Sequence, residues 1–177
     1  MNTITTILLV VAVIIVLPLI LALFMKKEHF VRREIIINAP RQKVFDFIKL
    51  LKNQDAFNKH AMAGPDRKRE FKGTDGTVGY IYSWSGGKDA GVGEKEIKSI
   101  IDGKSIETEI RFVKPMKVSA IVIMETESLP DSNQTKVSWI NTGTLNYPVN
   151  VMIPMMEKSV KKDMDISLTN LKNILEK

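Results

Sequence analysis

The sequence contains no cysteine among its 177 residues. Disulfide bonds, thiolate nucleophiles, cysteine-based zinc sites and iron–sulfur clusters are therefore all excluded. Histidine is scarce as well, since only His29 and His60 occur, and a Ser-His-Asp triad cannot be located around either. We therefore predict no catalytic residue from the sequence, and we expect no metal and no cofactor.

Two carboxylates are the remaining candidates for acid–base chemistry. Glu94 and Glu96 are two residues apart, a spacing that puts both on one face of a strand. Lys95 and Lys98 lie next to them, and such mixed charge is typical of a solvated face, which we favour. The GVG at 91–93 lacks the full glycine spacing of a phosphate-binding loop and opens a strand, so we exclude that motif.

The net charge of +6 is not arranged as a nucleic-acid-binding surface. No basic stripe is interleaved with aromatic residues and no recognised reading motif occurs, so we expect no nucleic-acid partner. The most conspicuous basic cluster follows a long apolar run and consists of Lys26, Lys27, Arg32 and Arg33. A cluster in this position is suited to contact lipid headgroups and to fix membrane topology.

A long uncharged run near the N-terminus predicts a membrane anchor. It extends from Ile7 to Met25, and as a helix it would be about 28 Å long, close to the thickness of a hydrocarbon core. Pro18 predicts a kink, which membrane helices tolerate. A cleaved signal peptide is the alternative, but no Lys or Arg precedes the run and no clear small-x-small site precedes Lys26. We therefore predict an uncleaved anchor over residues 4–25.

The anchor divides the chain into three parts. We predict a juxtamembrane linker at 26–30 and one domain at 31–177, which is long enough for an ordinary core. Because the positive charges near the span lie on its C-terminal side, we expect a single-pass membrane protein whose domain faces the cytoplasm.

The domain opens with a strand and two helices. Val31 to Ile37 is β-branched and apolar enough for a strand. Pro40 is suited to the first turn of a helix, and the apolar residues after it recur at spacings of three and four. A second short helix is predicted from Gln54 to His60, before the turn residues Gly64-Pro65-Asp66.

Six more strands follow, separated by turn residues as in a meandering antiparallel sheet. They are predicted near 67–72, 78–85, 92–100, 104–113, 117–127 and 135–144, with turns at Asp75-Gly76, Gly86-Gly87, Asp102-Gly103 and 130–133. A long amphipathic helix is predicted from Val151 to Leu175. The sequence thus predicts an α+β fold, in which a curved seven-stranded antiparallel sheet wraps around the C-terminal helix.

Several local sequences, taken in order, resemble the START-like superfamily, in its polyketide cyclase-like or SRPBCC branch, which includes the Bet v 1-like proteins. They are NAPRQKVFDFI at 38–48, GTDGTVGYIYSWSG at 73–86, GVGEKEI at 91–97, VSWINTG at 137–143 and LTNLKNILEK at 168–177. The resemblance implies a helix-grip fold over residues 31–177 that encloses a deep apolar cavity. It implies no reaction, because the superfamily includes carriers, receptors and cyclases.

The resemblance also implies which faces look into the cavity. Tyr80, Tyr82 and Trp84 alternate along one strand and share one face. Flexible methionines on the last helix are suited to form a lid over an apolar ligand, with Met156 and Met164 opposite the tryptophans, or to fill gaps in a packed core. The predicted cavity residues are Tyr80, Tyr82, Trp84, Ile110, Phe112, Trp139, Asn141, Met152, Met156, Val160 and Met164. Each of them could instead belong to a closed core.

Three functions are compatible with this reasoning. The first is a membrane-anchored binding protein that holds a lipid, an isoprenoid or a polyketide-like molecule in its cavity. The second is a cyclase or aromatase that acts on an apolar substrate there, with one or two polar groups transferring protons. The third is a non-catalytic interaction domain with a packed core. The scarcity of histidine favours a binding protein over an enzyme.

Overall fold

Seven strands and five helices make up the part of the chain that the structure describes. The structure, a computed structural model, describes residues 2–62, 66–86, 91–130 and 133–177. The strands are β1 (Glu28–Ile37), β2 (Lys68–Lys72), β3 (Ile81–Ser85), β4 (Val92–Ile101), β5 (Ser105–Lys114), β6 (Val118–Ser128) and β7 (Thr135–Thr144). The helices are α1 (Thr3–Phe24), α2 (Arg41–Ile48), α3 (Gln54–Phe57), α4 (Lys59–Met62) and α5 (Ile153–Leu175), with 3₁₀ turns at Leu51–Asn53 and Val149–Met152.

All seven strands form one antiparallel sheet in the order β1-β7-β6-β5-β4-β3-β2. The predicted α+β architecture is therefore confirmed, including the long C-terminal helix and the short helices after the first strand. The first strand starts three residues earlier than predicted, because its pairing with β7 continues to Glu28, opposite Thr144. Residues 28–30 of the expected linker thus belong to the sheet.

The predicted second helix is divided into α3 and α4. Asn58 ends α3 with an extended ψ of 119°, and its Oδ1 then accepts hydrogen bonds from the backbone N–H groups of His60 and Ala61. This is the capping role for which asparagine is favoured at a helix start. Parts of three predicted turns, namely Gly64 and Pro65, Gly87, and Asp131 and Ser132, lie outside the described residues.

Helix α5 covers both the inner face of the sheet and its β1 edge. Its apolar stripe of Met164, Leu168, Leu171 and Leu175 joins the buried core. Its polar side chains bond to the backbone at that edge: Glu157 accepts from Phe30 N at 3.3 Å, and Lys172 donates to Ile36 O at 2.9 Å. The unpaired groups of an edge strand are thereby protected from pairing with another chain.

Helix α1 is long and apolar enough to cross a membrane. Almost all of its side chains are exposed, and Ala22 is its buried exception. At that end Asn150, which is fully buried, donates from Nδ2 to Ala22 O at 2.7 Å and to Met25 O at 3.1 Å. Lys27 O accepts from Leu145 N at 2.8 Å. The end of α1 is therefore fixed to the domain by hydrogen bonds.

The core role of α5 can be tested at Leu171, which is fully buried. Leu171→Ala should lower the free energy of unfolding by about 2–5 kcal/mol, because it removes apolar contacts and leaves a cavity. The exposed neighbour Asn173 provides the control, and Asn173→Ala should change stability by less than about 0.5 kcal/mol. Urea denaturation of the full-length chain in detergent micelles measures both. Equal effects would contradict the packing described here.

Candidate functional site

A cavity of about 320 Å³ lies between the α3–α4 segment and the inner face of β3, β4 and β5. Its walls are mainly apolar and aromatic, with a few polar side chains among them. The lining residues are Leu51, Gln54, Asp55, Asn58, His60, Ala61, Arg67, Tyr82, Trp84, Lys95, Ile110 and Phe112. A concave apolar space with a few convergent polar groups is the usual form of a small-molecule site.

One wall is aromatic and is built on three paired strands. Trp84 lies opposite Gly93 in the β3–β4 ladder, and Gly93 lies opposite Phe112 in the β4–β5 ladder. A Cβ at Gly93 would come within 2.6 Å of the Trp84 ring, so the absence of a side chain there makes room for the indole. The rings of Trp84 and Phe112 then meet edge to face, with centroids 5.7 Å apart.

The opposite wall, α3–α4, is tied to α5 by polar contacts. The Asp163 carboxylate pairs with Lys59 Nζ and with His60 Nε2, the latter at 3.0 Å. Ser167 Oγ accepts from the backbone N–H of Lys59 at 3.0 Å, and Asn170 Nδ2 donates to Phe57 O at 3.2 Å. Two helices of four residues would not be stable alone, so these contacts hold the wall in place.

Leu51, at the start of the same segment, is positioned by one of the predicted turns. Both oxygens of the Asp75 carboxylate accept backbone N–H donors, from Leu51 at 2.8 Å and from Lys52 at 3.0 Å. Gly76 follows with a φ of 78°, a conformation that favours glycine. The turn between β2 and β3 thus fixes the position of the residues that lead into α3.

Three polar side chains at the cavity are bonded to one another. Tyr82 Oη donates to Asp55 Oδ1 at 2.6 Å, and Arg69 Nε donates to Tyr82 Oη at 3.1 Å. Arg69 also pairs with Asp55 Oδ2 at 3.1 Å. Burial, followed by the bond to Asp55, raises the pKa of Tyr82 to about 12. The tyrosine is therefore a neutral donor at physiological pH.

Lys95 is the most unusual residue of the cavity, because its side chain is long and charged but only 6% of the residue is exposed. Its Nζ donates to Gln54 Oε1 at 2.5 Å, and Gln54 is itself buried. Within the described part of the chain no carboxylate pairs with it. Burial lowers the pKa of Lys95 from 10.5 to about 8, because an ammonium is poorly solvated there.

Four of the predicted cavity residues line this cavity: Tyr82, Trp84, Ile110 and Phe112. The others lie outside it. Tyr80 precedes β3 and is buried in the core, where its burial raises its pKa to about 12. Trp139 is also in the core, packed edge to face on Phe57 with centroids 6.1 Å apart. Asn141 Oδ1 lies 2.9 Å from His29 Nε2, so a protein group satisfies it.

The helix residues among the predictions lie away from the cavity as well. Met164 and Val160 pack in or against the core, and Met156 is half-buried. Met152 lies in the 3₁₀ turn before α5 and is exposed. The methionines of α5 therefore do not cover this cavity. The α3–α4 segment covers the cavity instead, because the apolar stripe of α5 packs against the β1 side of the core.

Sequence reasoning missed most of the polar lining, although one signal was present. If Glu94 and Glu96 face solvent, the period of two on a strand turns Lys95 inward. The structure shows this arrangement: both glutamates pair with Arg111, at 2.8 and 2.7 Å, on the outer face. The bond to Glu96 contributes most to raising the pKa of Arg111. These glutamates therefore form ion pairs away from the cavity.

Other missed residues, such as Gln54, Asn58 and Arg67, belong to irregular segments whose faces cannot be inferred from spacing. In the described ranges, no group of three or more His, Asp or Glu side chains is arranged to hold a metal ion.

Solved structures with the same architecture are similar to this chain over nearly their whole length. A Mesorhizobium loti protein matches with a TM-score of 0.62 at 14% identity, covering 84% of this chain and 97% of its own. The Aha1 dimer from Colwellia psychrerythraea matches at 0.57 and 14%, covering 84% and 96%. Ara h 8.0201 matches at 0.53 and 15%, covering 81% and 98%. No protein-family model and no curated protein matches the chain.

Because Lys95 is buried, we predict that the stability of the protein depends on pH. Between its folded pKa of about 8 and its unfolded value of 10.5, the unfolded chain binds more protons, so stability rises with pH. Below pH 8 the penalty is complete, and it amounts to about 3 kcal/mol. Lys95→Met should therefore be more stable than wild type at pH 7 by up to about 3 kcal/mol, and the gain should vanish near pH 10.5.

Urea denaturation of both full-length chains in detergent micelles at several pH values measures this difference. Comparing the two chains cancels the titration of all other groups. Lys98→Met, on the same strand but in a solvent-exposed ion pair with Glu96, is the control and should change stability little at any pH. A difference between wild type and Lys95→Met that does not depend on pH would show that Lys95 is solvated.

Proposed function

The chain has the Bet v 1-like, helix-grip fold, and we propose that its domain binds an apolar small molecule or lipid in the cavity under α3–α4. The observation that carries this proposal is the cavity itself, whose walls include Leu51, Trp84, Ile110 and Phe112. Its volume of about 320 Å³ is at the lower end of the range of about 300–1,000 Å³ common for ligand sites. A ligand of small to medium size fits that space.

The polar groups of the cavity favour binding over catalysis. A general base needs a free acceptor near the reacting proton, yet Asp55 already accepts from Tyr82 and pairs with Arg69. Lys95 is ionisable and inside the cavity, but its hydrogen-bond partner is the neutral Gln54, which cannot relay a proton as an acid or base. A lysine in this setting is suited to recognise a ligand.

The location we propose is a single-pass membrane protein with its domain on the cytoplasmic side. Helix α1 has the length and composition of a span, and the basic residues near it follow its C-terminal end. Lys27 is exposed there, and Lys26 pairs with Glu157 at 2.6 Å while more than half of its side chain stays exposed. Together with Arg32 and Arg33, these basic residues support the proposal that the chain contacts anionic headgroups next to α1.

Filling the cavity should weaken binding strongly. Ile110→Trp adds bulk inside it and should reduce the fraction of protein carrying a bound apolar molecule by about tenfold or more. Its stability cost should stay below the penalty of about 1–3 kcal/mol for overpacking a solid core. Val113→Trp, an exposed site further along the same strand, is the matched control. Native mass spectrometry of the full-length chain, released from detergent, measures the bound fraction. An unchanged fraction in Ile110→Trp would refute this site.

The orientation can be tested with a reporter fused after Lys177. The reporter on the wild-type chain should give a cytoplasmic signal, because lysine and arginine next to a span resist translocation. Replacing Lys26, Lys27, Arg32 and Arg33 by glutamine should weaken that preference, whereas glutamine at the distant Lys68 and Lys72 should leave it unchanged. Protease protection in spheroplasts provides an independent measurement. A wild-type signal outside the cytoplasm would contradict the orientation.

A further inference from the structure

We propose that the ligand of this cavity is an aliphatic carboxylic acid whose carboxylate pairs with Lys95 Nζ. This inference rests on the proposed binding function and adds the chemical class of the ligand. It starts from a buried charged group that has no counter-ion among the described residues, at a place that a ligand can reach.

The ammonium group of Lys95 has more donors than the protein satisfies. A lysine side chain offers three N–H donors, and in the described residues one acceptor, Gln54 Oε1, is bonded to it. Burying an ionised amine without a paired charge is costly, and that cost lowers its pKa to about 8. A carboxylate from a ligand would supply both the missing acceptors and the missing charge.

The other charged and titratable groups that the structure describes at the cavity do not supply that counter-ion. Asp55, from α3, is held by Tyr82 of β3 and by Arg69. His60, from α4, pairs with Asp163 of α5. Arg67 also lines the cavity, but its guanidinium already donates to His60 O. Lys95 is therefore a lining cation with no paired carboxylate among the described residues, which favours an anionic ligand.

The positions of the strands also give the ligand a direction. Lys95 lies between Tyr82 and Ile110 in the ladder of β3, β4 and β5. The next inward position toward the start of β4 is Gly93, flanked by Trp84 and Phe112. A headgroup at Lys95 thus places an aliphatic chain along the aromatic wall. This separation of a cationic end from an apolar end matches an amphiphile rather than a neutral hydrocarbon.

The test compares decanoate with decan-1-ol, which have the same chain length and differ in the charge of the headgroup. Calorimetric titration of the full-length chain in nanodiscs, with empty nanodiscs subtracted, gives both affinities at pH 7. Wild type should bind decanoate about tenfold or more tightly than the alcohol, as expected for a charge-assisted hydrogen bond. Lys95→Met should lose that preference and still bind the alcohol. Lys98→Met, on the outer face, should keep it.

A second measurement needs no variant. Raising the pH from 7 to 10 should weaken decanoate binding by wild type as Lys95 loses its proton, while Tyr82 stays neutral and alcohol binding stays constant. Equal affinity for the two compounds, or a decanoate affinity that does not change with pH, would overturn the inference and leave the proposed function standing. Failure of both compounds to bind would overturn the proposed function and this inference with it.

Discussion

The concave face of a seven-stranded curved sheet has to be removed from water, and one helix cannot cover all of it. Helix α5 covers the β1 side, where its apolar stripe is part of a continuous core. The β3–β5 side is covered by α3 and α4, four residues each, which stay in place through their polar contacts with α5. This second cover is thin and leaves a space beneath it. The cavity is thus a direct result of dividing the cover between two elements.

The same division explains where polar groups are tolerated. The apolar stripe of α5 packs in the hydrophobic core, and its buried polar side chains Asp163 and Ser167 contact Lys59 of α4. Under α3–α4 the strands carry Tyr82 and Lys95 at inward positions, because the space beside them can accept water or a ligand. The chemistry of the site therefore depends on the incomplete packing of one half of the domain.

Regular elements were predictable from the sequence, because periodicity and turn residues report directly on strands and long helices. The residues of the candidate site were harder to predict from the sequence. Predicted residues on β3 and β5 line the cavity, since the period of two identifies their face. The residues expected from α5 lie elsewhere, because a methionine stripe does not reveal which part of a sheet it contacts. The α3–α4 lining depends on tertiary contacts such as that of Asn170 with Phe57 O. Lys95 could have been inferred from its outward-facing neighbours.

The hydrogen bonds between Asn150 and the end of α1 limit how far the domain can move away from that helix. Three residues connect α1 to β1, a stretch of at most about 10 Å. Hydrogen bonds from Asn150 and Leu145 to the backbone of this region hold it against the domain. With α1 in a bilayer as proposed, the domain has no reach toward a second membrane. If the domain binds a ligand as proposed, it would act as a stationary acceptor and not as a shuttle. Any exchange of cargo then occurs with molecules diffusing in, or beside, the leaflet in which its own helix ends.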